Sequence, residues 1–186
     1  MKKQVINTFN RLEKQRNEII SRLKSLSKEE LEFKPDPNSW NVLQVVLHLL
    51  KSEQLATKYM SRRMSTGKKL HKAGIGSVIR SKLLQIGLFL PVKYIAPKMV
   101  DVTGHTPEFD TIKSDWKHQR EKLKDLIESC DDETFRKELF RHPRAGDMNL
   151  LQALEFMEMH TSHHQKQIER ILSVIDHRLN RDQIKT

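Results

Sequence analysis

The chain has one cysteine, Cys130, and only six glycines and six prolines in 186 residues. A lone cysteine excludes an internal disulfide and fits a reducing cytosol. Aromatic residues are 6% of the total, and no segment alternates polar and apolar residues convincingly enough to argue for a strand. No apolar run reaches the ~18–20 residues that a membrane span needs. The opening segment, MKKQVINTFNRLEKQRNEII, lacks a continuous apolar stretch, so no secretory signal is expected and the expected location is cytoplasmic. What remains is a charged chain of the right length for one domain with a real core.

The net charge of +10 is unevenly placed. Of 34 basic residues, ten lie in residues 54–100, which hold no Asp or Glu; the other 24 balance the 24 acidic residues elsewhere. The whole excess therefore belongs to one segment. Three readings of it stay open: a solvated loop, a wall that attracts an anionic substrate such as a carboxylate-bearing thiol, or a contact with nucleic acid or an anionic membrane. GSVIRSKLLQIGLFL has the apolar content of an interfacial helix but no Trp anchor, and no nucleic-acid motif is present.

Apolar residues recur at helical spacing in four long stretches. The first covers about residues 3–26, with Val5, Ile6, Phe9, Leu12, Ile19, Leu23 and Leu26 as its buried stripe. A turn, SKEELEF, and a Pro-rich break follow. The second opens at Asn41, where Gln44 stands at capping-box spacing and Trp40 and Val45 suit a hydrophobic staple. Its apolar side includes Val45, Val46, Leu49, Tyr59 and Met60, and it should end before Gly67. The third covers about residues 111–129, followed by an irregular stretch, DDETFRKELFRHPRAGDM. The fourth opens at Asn149, again with Gln three positions on, and reaches about Arg178. Residues 67–110 are too long for a tight turn and read as a basic crossover with one short helix stopped by Pro91. The pattern predicts an all-α four-helix bundle in one domain over residues 1–180, with a crossover between its second and third helices and a polar tail at 181–186.

Nine histidines are present. His71, His105, His118, His142 and His177 read as incidental. His160 and His164 are one helical turn apart on the stripe of Leu154, Met157, Ile168 and Ile171, so both rings leave the same face. His48 lies on the apolar side of the second helix. A lone histidine there is usually a hydrogen-bonded core residue, but facing helices would bring three imidazoles together inside the bundle. Three neutral nitrogen ligands leave open positions on a zinc- or nickel-like ion, the mark of a catalytic rather than a closed structural site. His163, three residues from His160, reads as a neighbour of the site or a surface residue.

Candidate bases are badly placed. Glu53 and Glu169 each follow a histidine by five residues, and there is no His-Glu-x-x-His motif. That argues against a peptidase and leaves an ion-activated water or thiol as nucleophile. Cys130, near a helix C-terminus, reads as structural.

The segments SWNVLQVVLHLLKSE, FRHPRAGDMNLLQALEFMEMH and HTSHHQKQIERI together resemble the DinB/YfiT-like superfamily over nearly the whole chain. The resemblance implies a four-helix bundle with a nickel or zinc ion held, by motif position, on His48, His160 and His164. It also implies a homodimer, and either a metal-dependent hydrolase or an S-transferase using a low-molecular-weight thiol such as bacillithiol, mycothiol or glutathione on a small-molecule substrate. The alternative is a non-catalytic metal-binding stress protein. Where the family commonly has an acidic residue in the second helix's capping box, this chain has Gln44, a difference expected to affect capping and not chemistry.

Overall fold

A computed structural model describes residues 1–66, 69–89, 98–105 and 107–183. Six α-helices occur among them: α1 (Lys2–Leu23), α2 (Lys28–Glu32), α3 (Val42–Ser65), α4 (Ile75–Phe89), α5 (Phe109–Glu128) and α6 (Leu150–Gln183). The long helices α1, α3, α5 and α6 make the bundle. Going round it, α1 packs on α6, α6 on α3, α3 on α5 and α5 back on α1. The facing of α3 and α6 matters most for the histidines. Among the described residues no helix is long and apolar enough to cross a membrane.

Both site-bearing helices start on reciprocal caps. Asn41 Oδ1 accepts from Gln44 N at 2.8 Å, and Asn41 N donates to Gln44 Oε1 at 3.1 Å. At α6 the Asn149–Gln152 pair repeats this at 2.9 Å in both directions. Each box satisfies two backbone donors that a helix start leaves orphaned, and so fixes where the helix begins. The SKEELEF turn is in fact a short helix, α2, with its own box between Ser27 and Glu30.

The expectation of an irregular, strand-free stretch before α6 is corrected. Strands β1 (Glu138–His142) and β2 (Gly146–Asn149) form an antiparallel hairpin, pairing Phe140 with Met148 and His142 with Gly146. Gly146, the first residue of β2, follows the three loop residues with φ +72°, a left-handed conformation that glycine adopts without steric cost. A bulge between Glu138 and Phe140 places Leu139 and Phe140 consecutively in the core, which erases the alternation by which a strand is recognised. The crossover adds to the ladder, with Lys72 bridging to Lys137 and Ala73 N donating to Arg136 O at 2.9 Å.

Smaller departures concern ends and edges. Ile6 and Tyr59 are exposed, at 41% and 36%, while Thr8 and Thr57, two residues from each, turn inward. The α6 helix runs to Gln183, into the expected polar tail, whose last residues, 184–186, lie outside the described residues. The expected stop at Pro91 lies outside them too, as do Lys68 and Lys93 of the basic segment.

The core is two apolar clusters with a polar layer between them. One gathers Leu12, Met60, Leu123, Met148 and Leu154; the other gathers Ile19, Leu49, Ile112, Trp116 and Ile168. Between them lie Arg16 of α1, Glu53 and Thr57 of α3, Gln119 and Arg120 of α5, and His160, Thr161 and His164 of α6. Arg120 Nη2 donates to Glu53 Oε1 at 2.6 Å, and Trp116 Nε1 donates to Glu53 Oε2 at 3.0 Å.

Candidate metal centre

His48, His160 and His164 come together where α3 faces α6, each offering one ring nitrogen, all within 4.8 Å of one another. His48 and His164 are buried, and His160 is half-buried. The Nε2 atom of His160 lies 3.3 Å from Nε2 of His48 and 3.1 Å from Nε2 of His164. Two nitrogens sharing a tetrahedral ion at ~2.0–2.1 Å would lie about 3.3–3.4 Å apart, so these spacings fit common coordination.

The far side of two rings decides which atom faces inward. His48 Nδ1 is 2.9 Å from the carbonyl of Val100, and His164 Nδ1 is 2.8 Å from Oε1 of Gln167. A carbonyl only accepts, so each Nδ1 carries the hydrogen and each Nε2 is left as a bare lone pair. His160 can donate its one Nε2 hydrogen to only one of these two neighbours. At least one Nε2 lone pair is then left facing a nitrogen at just over 3 Å with no hydrogen to accept, a cost that a cation between the rings relieves. The donor set therefore fits a metal ion.

Electrostatics point the same way. Burial lowers the His48 imidazole below its usual range, lowers His164 to about 3, and lowers His160 well below 6.5, with the neighbouring histidines adding to the effect on the last two. All three are neutral at pH 7, the form that ligates.

The helix ends and the crossover support this geometry from behind. Val100 closes a 3₁₀ turn (Lys98–Val100) laid against α3. Two residues on, the Val102 carbonyl accepts from Gln44 Nε2 at 3.2 Å, and Thr103 Oγ1 accepts from Trp40 Nε1 at 3.3 Å. The Trp40 ring lies 5.1 Å from that of His48. Gln44 thus does more than cap a helix. It ties the α3 start to the segment holding His48, which a carboxylate in its place could not do.

The other candidates divide clearly. His163 stays outside the three-nitrogen group, its ring 5.2 Å from that of His164. Glu53 is committed to Arg120 and Trp116, and Glu169 pairs with Arg22 at the surface. Cys130 is buried with its thiol pushed up to about 11 by desolvation, and it donates to the Leu126 carbonyl at 3.2 Å, so it is no nucleophile. His71, His105, His118 and His177 are exposed.

His142 is the histidine whose position the sequence did not disclose. Its ring lies 4.6 Å from Phe156, and Phe156 stacks on His160 at 5.5 Å and 12°. The Nδ1 atom of His142 accepts from the backbone N–H groups of Arg144 and Ala145, both at 3.2 Å. Burial, with Arg144 nearby, lowers its imidazole to about 4. The missing signal was the hairpin, which carries residue 142 to the Phe156 ring beside His160. Asp101, whose charge reaches His48, has its carboxylate held by Thr103, a placement with no local sequence signal. A separate groove between α3 and α5, lined by Thr57, Lys58, Gln119 and Lys122, contains none of these histidines.

Three similarities accompany this geometry. The sequence profile of the DinB superfamily matches residues 11–168. The uncharacterized protein YuaE of Bacillus subtilis (strain 168) is 27% identical over 161 residues, spanning 87% of this chain and 94% of its own. The structure of YfiT from Bacillus subtilis, described as a probable metal-dependent hydrolase with an unusual four-helix bundle topology, superimposes with a TM-score of 0.60 at 19% identity, covering 95% of this chain and 90% of YfiT. At that identity the likeness speaks for the fold.

Proposed function

The chain belongs to the DinB superfamily, and from that premise we propose that it is a metal-dependent enzyme acting on a small electrophilic molecule, with His48, His160 and His164 as the ligands of one divalent ion, nickel or zinc. The observation that carries this is the inward convergence of three Nε2 atoms, two of them with their Nδ1 hydrogens committed to carbonyl oxygens.

When bound, the ion supplies a positive charge that favours the deprotonated, nucleophilic form of a water or thiol at its open positions. The chain's own residues do the rest. Val100 and Gln167 orient His48 and His164 and hold their hydrogens on the outer nitrogens. Trp40 and Phe156 pack against His48 and His160 and limit the water around the centre. His142, with Nδ1 occupied by two N–H donors, keeps its own hydrogen on Nε2 and offers a fixed donor beside Phe156. The histidine group contains no carboxylate among the described residues. A nucleophile that needs no protein base, such as a thiol bound as thiolate, suits this site better than a carboxylate-assisted peptidase mechanism. The basic residues of 54–100 would favour an anionic thiol or substrate.

The test is elemental analysis of tag-free protein beside a His160→Ala/His164→Ala variant, followed by a screen of thiols with electrophilic acceptors. About one equivalent of nickel or zinc, lost in the variant, together with metal-dependent turnover, is the expected result. A parent chain that takes up neither ion on incubation sinks the reading. Metal that raises the melting temperature without any turnover would favour the non-catalytic alternative.

A further inference from the structure

Over residues 75–83, α4 turns serines inward and aliphatic side chains outward, while Leu84 packs on the core. Ser77 and Ser81 are only 2% and 1% exposed, whereas Ile75, Ile79 and Leu83 are 81%, 56% and 62% exposed and Val78 is 48% exposed. At positions i, i+4 and i+8, Ile75, Ile79 and Leu83 share one outward stripe, with Val78 beside it. The inner face is held by polar contacts: Ser77 Oγ accepts from Gln152 Nε2 at 3.3 Å, and Arg80 Nε donates to the Ala145 carbonyl at 2.9 Å. Gln152 is itself half of the α6 capping box. Rolling α4 to bury Ile75 and Ile79 would break these bonds, so this apolar stripe is kept outward by the fold.

We propose that this face of α4 docks on an anionic lipid bilayer, lying in the interface rather than crossing it. Residues 54–100 hold no Asp or Glu, and of their ten Lys/Arg three, Lys58, Arg62 and Arg63, belong to α3 and not to this surface. Exposed Lys69 and Lys72 lead into the helix, and the bridge of Lys72 to Lys137 brings exposed Arg136 alongside. Lys82, on α4 itself, reaches Glu155 at 3.3 Å.

Charge decides between the occupants. A symmetric contact between two copies would set this basic surface against itself, which like-charge repulsion opposes. Nucleic acid would meet the cations and leave four aliphatic side chains wet, with no aromatic ring among them for bases to stack on. An anionic bilayer answers both features, with the aliphatic stripe entering the boundary between headgroups and acyl chains and the cations meeting phosphates. This inference does not depend on the histidine site.

The test is co-sedimentation of the full chain with phosphatidylcholine vesicles, with and without phosphatidylglycerol, at low and high salt. The parent is expected to bind only the phosphatidylglycerol vesicles and to release as salt rises. Ile79→Ser/Leu83→Ser is expected to weaken binding at least about tenfold, since each change removes an aliphatic group from the apolar phase. Both side chains point to solvent, so circular dichroism of the variant should match the parent. No vesicle binding by the parent, or binding indifferent to the double substitution, overturns the proposal. Sedimentation showing that the substitution splits an oligomer into monomers would overturn it in favour of a second copy.

Discussion

His48 is gripped at both ends of its ring, by Val100 O on one side and the histidine cluster on the other. What holds Val100 in place is partly Gln44, which is 1% exposed and both caps α3 and donates to Val102 O. Changing Gln44→Glu keeps the acceptor for the cap, removes the donor and sets a carboxylate against a carbonyl. The expected loss is about 1–3 kcal/mol, read from the urea midpoint, with faster loss of bound metal to a chelator than in the parent. Unchanged stability would mean the Val102 contact contributes nothing. The histidines also make stability depend on pH. Burial lowers His164 to about 3 and His142 to about 4 in the folded chain, against 6.5 for an exposed imidazole. The unfolded chain therefore takes up these protons at higher pH than the folded one does. Metal-free protein should lose stability as pH falls from ~6.5 towards 4, by up to about 1.4 kcal/mol per pH unit for each such group. Denaturation midpoints that stay level from pH 7 to 5 would contradict this.

Helix starts were the most readable elements, because a capping box needs only two residues three apart. Asn41–Gln44 and Asn149–Gln152 set the α3 and α6 starts where the sequence placed them. The pairing of His160 with His164 was legible for the same local reason, and their meeting with His48 followed once α3 was taken to face α6. The hairpin was not legible. Its strands have five and four residues, and its bulge breaks the alternation. With it went the position of His142, which depends on tertiary pairing and not on helical period. The partner of His48 was equally hidden, since Val100 lies 52 residues away and contributes a backbone atom. The hairpin's own requirement is testable at Gly146. An added Cβ would meet Arg80 Nε at an ordinary 3.5 Å, so the obstacle to Gly146→Ala is its φ of +72° and not space. The expected cost is about 1–2 kcal/mol of thermal or urea stability. Parent-like stability would show that the turn relaxes freely.

Across the whole molecule, the polar layer between the two apolar clusters carries paired charges as well as the histidines. Arg120 is 2% exposed and Glu53 3% exposed, so removing one partner leaves the other buried and uncompensated. Arg120→Met is expected to cost about 3–5 kcal/mol, whereas Arg120→Met with Glu53→Gln should recover much of that loss. Denaturant titrations of the two variants and the parent check this; equal losses in the single and double variants would mean that neutralising Glu53 recovers nothing and that its buried charge is not what the single variant suffers from. The support of His48 by a main-chain oxygen has a further bearing on how such a chain can diverge. Every residue type has a carbonyl, so no replacement of side chain at position 100 deletes the acceptor. One residue gained or lost between 98 and 103 would instead shift the carbonyls that face His48 and Gln44. In related sequences position 100 should vary among apolar residues that fit its buried place, while the length of the stretch hardly varies at all.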